Sequence, residues 1–330
     1  MARRSGGDAA IRRAEALARR PPGSVTTAEW SAALAEHHGL AIAATARAVQ
    51  AHRATDQLPA LAVALARLYE AEDPQAHGKL AALTSLDELG WEDPSPFLRA
   101  VAHVQMEPVW GGRIDAAAPL RIRAAQGLVR LGHHALWRIL GDLLVDDVAE
   151  VRGAASQLLG QVGGERAALQ LRLRVRLPED REHAEVMGDH VAGLLACEGE
   201  TALPLAVARL QSDELAEAQA VALAIGASRL PAALAPLADR LDDSIDRRLR
   251  RACIDGIALL RSPAAAELLL ARLAEADAEE GSELLAALRV YRDRPEVVKR
   301  ASAAVARTRH RSWREVWDVP GEAGGGDPQA

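Results

Sequence analysis

A chain of 330 residues, 49% of them hydrophobic, can bury a large core, either as two compact domains or as one extended array. Its formal net charge of -6 excludes a protein whose whole surface tracks nucleic acid, although local patches survive such an average. With one Phe, two Tyr and six Trp, the interior has to be built from Ala, Leu and Val, and Ala and Leu are the strongest helix formers, so the composition points to an all-α protein.

Residues 1–24 hold six arginines and the stop Pro21-Pro22-Gly23, and read as a flexible, Arg-rich segment with a frayed helix. No apolar segment follows its arginines as a secretory signal requires. No run of about 18 apolar residues appears further on, so no membrane span is expected. Thr26-Thr27-x-Glu29 is a capping signature that opens the next helix. Further helices are expected at about 27–37, 40–53, 57–71 and 75–89, with Asp73-Pro74 separating the last two. Asp93-Pro94-x-Pro96 opens one more, to about Gln105.

Residues 106–118, MEPVWGGRIDAAA, interrupt this regularity with a Pro, a Gly pair and an isolated Trp, and read as a loop inserted into an N-terminal helical region of 25–118. Loops of this length in a compact array are often functional. Glu107, Trp110 and Arg113 are its candidate partner-binding residues, since an aromatic beside a guanidinium is typical of binding hot spots. The competing reading folds Trp110 back as a hydrophobic plug.

From residue 119 the chain repeats itself. Val151, Ala154, Ala155, Leu158, Leu159 and Val162 form the apolar stripe of a helix with one buried side, which the Gly163-Gly164 pair ends. Ile122-Arg123-x-Ala125 matches Val151-Arg152-x-Ala154, and Leu131-Gly132 echoes Leu159-Gly160. Downstream, an Ala followed by a closing Leu recurs at Ala135/Leu143, Ala168/Leu177, Ala202/Leu210, Ala233/Leu241 and Ala265/Leu273, with steps of 33, 34, 31 and 32 residues. Acidic turns follow, placed to cap the next helix. Periods in this range mean a solenoid: stacked antiparallel helix pairs in a right-handed array, with repeats over 119–276, capping helices over 277–319 and a disordered tail over 320–330. Residues 169–177, LQLRLRVRL, alternate with period 2, but the register of the array makes them a helix packed on two faces.

The run D-x₃-VR-x-A-A-x₂-LG-x₂-G, present as Asp147 to Gly163, resembles the HEAT-repeat superfamily, and within it the short-repeat branch called PBS-lyase HEAT-like. The resemblance implies structural roles for Asp147, Arg152, Gly160 and Gly163, and a bracing role on acidic turns for Arg123, Arg152 and Arg250.

Catalytic signals are few. Cys197 and Cys253 lack metal-ligand spacing and read as buried reduced thiols of a cytoplasmic protein. Near-exclusive use of Arg over Lys suits the base composition of a bacterial genome. His183 and His190 stand two helical turns apart, too far to share one ion, so no metal or other cofactor is expected. Iron hydroxylases built from HEAT-like repeats use His-Glu pairs, whereas this sequence has Glu-His at 36–37 and 182–183. The expected function is a non-catalytic protein-binding scaffold or assembly factor. The alternative is a nucleic-acid-binding protein of the HEAT-like alkylpurine DNA glycosylase type, for which Trp91, Asp93, Trp110, Asp115 and Trp137 would be the groove residues. Residues 289–314 carry nine basic and two acidic side chains, and Arg247, Arg248, Arg250 and Arg251 add a second basic group. Arg307, Arg309 and Arg311 are therefore candidates for docking an acidic protein surface, beside a capping helix at about 295–309. Trp313 and Trp317, four apart, should pin the end.

Overall fold

The computed structural model describes residues 2–179 and 183–318, with side chains from Gly7 onward. It divides into two compact units, residues 1–158 and 159–330. The first contains α1 (Ala2–Ala18), α2 (Thr27–Leu34), α3 (Gly39–Ala51), α4 (Leu58–Leu68), α5 (His77–Glu88), α6 (Ser95–Val101), α7 (Ala118–Arg130) and α8 (Leu136–Leu143). Helix α9 (Ala149–Val162) carries the chain into the second unit. There follow α10 (Gly164–Arg176), α11 (Val186–Glu198), α12 (Leu203–Leu210), α13 (Leu215–Ala227), α14 (Leu234–Asp243), α15 (Arg247–Leu259), α16 (Pro263–Glu275), α17 (Ala278–Leu288), α18 (Pro295–Arg307) and α19 (Arg311–Trp317).

Both units are rows of stacked antiparallel helix pairs, so the chain is an all-α helical repeat. In the first unit α1, α3, α5 and α7 lie side by side in chain order, and α2, α4 and α6 form a second row. In the second unit α11, α13, α15, α17 and α19 form one row, while α16 and α18 meet in the other. The odd-numbered rows pack more intimately, because small residues line their contacts. Gly78 meets the backbone of Gly39, Gly160 that of Gly193, Gly188 that of Ala220, and Gly226 that of Gly256.

One marker repeats along the chain. Arg53, Gly90, Gly132, Gly163, Gly199, Arg229 and Arg261 all take left-handed φ values of 50° to 81° just past the ends of α3, α5, α7, α9, α11, α13 and α15. This conformation reverses a helix and satisfies its last carbonyls. It also corrects the expected alignment. Gly132 corresponds to Gly163, which places Leu120-Arg121 opposite Val151-Arg152. Burial agrees, since Leu120, Arg121, Ala124 and Leu128 are buried as Val151, Arg152, Ala155 and Leu159 are. The expected match to Ile122-Arg123 is two residues out of register.

Caps follow the sequence signals in part. Thr26 and Glu29 form the expected capping box on α2. Asp146 accepts from Val148 N at 2.9 Å, Asp246 caps α15 and Asp277 caps α17. Asp147 contributes its carbonyl, which accepts from Arg152 Nη1 at 3.2 Å, and the same guanidinium reaches the Asp146 carbonyl at 2.8 Å. Arg250 does the same for the carbonyls of Leu241 and Ser244. In α7 the brace is Arg121, whereas Arg123 pairs with Asp87 and Glu88.

Three further expectations change. Helix α1 buries Ala10, Ala14 and Leu17 and packs against α3, so the N-terminal segment presents an apolar stripe rather than a solvated tail. Residues 169–176 are helical, but of their apolar side chains only Leu171 and Val175 are buried. Leu169, Leu173 and Leu177 are 56%, 66% and 54% exposed, and Val175 takes the place expected of Leu177. Val186–Leu210 is by length and composition apolar enough to cross a membrane, contrary to the sequence expectation. In the structure it is broken at Gly199–Ala202 into α11 and α12. The expected tail over 320–330 and Glu182 lie outside the described residues.

Candidate functional site

The inserted segment is a β-hairpin, which corrects both the loop and the expectation of no sheet. Strands β1 (Met106–Val109) and β2 (Gly112–Asp115) pair antiparallel, with Glu107 opposite Ile114 and Val109 opposite Gly112. Side chains of opposed residues share a face, so Glu107, Val109 and Ile114 lie on one side of the ribbon, with Met106, Pro108 and Arg113 on the other. Gly111, at φ +89, makes the turn with Trp110.

Its base is tightly held. Glu107 Oε1 accepts from the Gln75 N–H and from Gln105 Nε2, each at 2.6 Å. Gln105 Nε2 also donates to the Asp73 carbonyl at 2.7 Å, and buried Lys79 donates to Gln105 Oε1 at 2.8 Å. Asp115 Oδ1 accepts from the N–H groups of Gln105 and Ala117, both at 2.9 Å. Buried Arg121 joins Asp115 to Asp146, reaching the latter at 2.8 and 2.9 Å. Burial pushes the Asp115 carboxyl up, but the two backbone donors and Arg121 outweigh it and hold the group below its ordinary range. His103 sits edge-on to Tyr69 at 4.9 Å, and burial pushes its pKa down.

The tip makes the opposite impression. Trp110 is fully exposed, and Met106, Val109 and Ile114 are each more than two-fifths exposed. The plug reading therefore fails. Of the sequence candidates, Trp110 stands at the tip as a free apolar group. Arg113 is exposed but turns its guanidinium to the Met106 carbonyl at 3.1 Å, and Glu107 serves the base. Val109 and Ile114 were missed. Their signal was the alternation on either side of Trp-Gly-Gly, masked by Pro108.

The basic C-terminal stretch is partly occupied internally. Arg300 pairs with Glu267 and Arg311 with Glu315, while Arg294 donates to the Arg261 carbonyl. Arg307 and Arg309 are exposed, with no carboxylate partner among the described residues. Trp313 and Trp317 are buried and donate to the Ala278 carbonyl at 3.1 Å and Ser302 Oγ at 3.0 Å, so they pin the end as their spacing predicts.

Among the described residues, the other candidates are not brought together into a catalytic arrangement. Burial pushes the Cys253 thiol up to about 11 and raises that of Cys197 as well, the opposite of nucleophile activation. Among the described residues no group of three or more His, Cys, Asp or Glu is placed to hold a metal ion. His190 is buried against Glu179 at 2.8 Å, in company with Arg174. The groove proposed for a glycosylase is not formed. Asp93 accepts from Ser95 at the start of α6, Asp115 is committed to Arg121, and Trp110 projects at the hairpin tip.

No protein-family profile and no curated protein sequence matches the chain. Among solved structures it is similar to human deoxyhypusine hydroxylase, determined in complex with glycerol, at 20% identity and a TM-score of 0.32, covering 77% of this chain and 98% of that one. The expectation of a non-catalytic scaffold is not upheld, the solved structure it resembles being that of an enzyme. The glycosylase alternative gains no support either.

Proposed function

We propose that the chain recognises a protein partner through the 106–115 hairpin, with Trp110 as the anchor that enters an apolar cleft. The observation that carries this reading is the contrast within one short element: a base fixed by Arg121, Asp115, Gln105 and Glu107, and a tip whose indole touches nothing. An exposed aromatic on a rigid mount loses little conformational freedom on docking, which is what makes such groups hot spots. Arg113 beside it favours an acidic rim on the partner, and Arg307 and Arg309 fit the same preference. The reading concerns recognition alone and holds whether or not a reaction is also performed. The Asp147 to Gly163 run supports a place in the short PBS-lyase-like branch of the HEAT repeats.

A photo-crosslinking residue at position 113, used in extract of the native host, tests it. A discrete adduct should form, competed by excess unlabelled protein but not by Trp110→Ala or by a chain lacking 107–114, both of which should keep their helical circular dichroism. Equal competition by Trp110→Ala would refute the reading.

A further inference from the structure

Helix α15 begins Arg247-Arg248-Leu249-Arg250-Arg251, which places four cations at the end where the helix dipole is already positive. Three have internal partners. Arg250 braces the preceding turn and pairs with Glu280 at 2.7 Å. Arg247 is held by Glu279 and Glu283, and Arg251 by Asp255 at 2.8 Å. Arg248 is exposed and has no carboxylate partner among the described residues. It lines an open groove of about 540 Å³ on the face shared by α13, α15 and α17, whose other walls include Gln219, Leu223, Arg251, Ala252 and Glu283.

We propose that this groove binds a short peptide segment presenting a carboxylate next to an aliphatic side chain. Arg248 receives the carboxylate, Leu223 and Ala252 receive the aliphatic group, and the Gln219 amide bonds the peptide backbone. The volume falls within the range of about 300–1,000 Å³ typical of small-ligand clefts, enough for a few residues and too little for a folded domain. A polyphosphate or nucleic-acid backbone is a poor occupant, because Asp255 and Glu283 stand in the same groove and Glu279 and Glu280 lie on the adjoining helix. A single carboxylate avoids that repulsion by meeting only the unpaired guanidinium. No residue is shared with the hairpin, so the two readings stand or fall separately.

The test is fluorescence polarisation of the full-length chain with a labelled, C-terminally amidated hexapeptide whose one Glu stands next to a Leu in an Ala background, beside its Gln counterpart. The Glu peptide should bind and the Gln peptide should bind at least about tenfold more weakly, as loss of a charge-assisted hydrogen bond implies. Arg248→Ala should weaken the Glu peptide by a similar factor, Leu223→Gln should weaken it too, and Arg138→Ala, an exposed arginine remote in sequence, should leave it unchanged. All three substitutions are at exposed positions, so their melting temperatures should match the parent's. Absence of binding, equal binding of the Gln peptide, insensitivity to Arg248→Ala, an equal loss with Arg138→Ala, or displacement by a short DNA duplex would each overturn the proposal.

Discussion

Gly226→Ala tests the packing of the second unit most directly, because two effects of opposite sign act at one atom. Within helix α13 an alanine is favoured over glycine by about 1 kcal/mol, so propensity alone predicts a more stable protein. The new Cβ, however, would stand 2.5 Å from Gly256 Cα and 2.6 Å from Gly256 C, with the Gly256 carbonyl oxygen closer still, where ordinary contact begins at 3.4 Å. Those atoms are backbone of α15 and cannot rotate aside. The helices would have to separate by roughly 1 Å, loosening the buried seam of Val221, Ile225, Cys253 and Ile257. Overpacking of this kind costs about 1–3 kcal/mol, and a backbone-to-backbone clash belongs near the top of that range. After the propensity gain is subtracted, a net destabilisation of about 2 kcal/mol is expected, read as a lower urea midpoint by far-ultraviolet circular dichroism. Gly112→Ala, whose Cβ meets nothing within 4 Å, should stay within about 0.5 kcal/mol of the parent. If Gly226→Ala unfolds at the same urea concentration as the parent or a higher one, the close approach of α13 and α15 is wrong.

Arg121→Met should cost about 3–5 kcal/mol in urea unfolding, because it strands the largely buried carboxylates of Asp115 and Asp146, and it should expose the hairpin to limited proteolysis. Arg229→Gly should stabilise the chain by about 0.5–1 kcal/mol, read as a higher urea midpoint, since Arg229 holds φ +55 at the end of α13, a conformation that costs a side-chain-bearing residue about 1 kcal/mol more than glycine. Glu29 is held down to about 2 by the Thr26 backbone and hydroxyl donors and by Arg20, from an ordinary 4.5. A carboxyl depressed on folding contributes stability that is complete above about 4.5 and fades as the pH falls toward 2. Carboxyl NMR should therefore find Glu29 titrating well below the other glutamates, and Glu29→Gln should flatten the acid limb of the stability curve.

Much of the fold is legible in the sequence because its signals are local. The capping box at Thr26, the breaker at Asp73-Pro74 and the apolar stripe from Val151 to Leu159 each fix an element without reference to the rest of the chain. Register is less legible. Leu120-Arg121 and Ile122-Arg123 are both apolar-arginine pairs, and only burial together with the left-handed Gly132 distinguishes them. The LQLRLRVRL stretch shows a similar limit, since periodicity identifies which leucines share a face but not whether anything covers it. The hairpin was readable as an interruption and unreadable as a ribbon, because Pro108 argues against a strand and Trp-Gly is not a customary two-residue turn. Glu107 and Trp110 could not be told apart as candidates until the structure showed one anchored and the other free.

Where the hairpin leaves and rejoins the helical repeat, the Ala116 N–H donates to the Gln105 carbonyl at 2.9 Å. The two ends of the insert are thus already closed by one hydrogen bond, and the repeat on either side keeps its register whatever lies between them. The stretch behaves as a cassette: other ribbons could be spliced between Glu107 and Asp115, with those two carboxylates, Arg121 and the α6–α7 pair serving as a fixed socket. Natural drift is subject to the same rule, so the ribbon can change without disturbing the array that carries it.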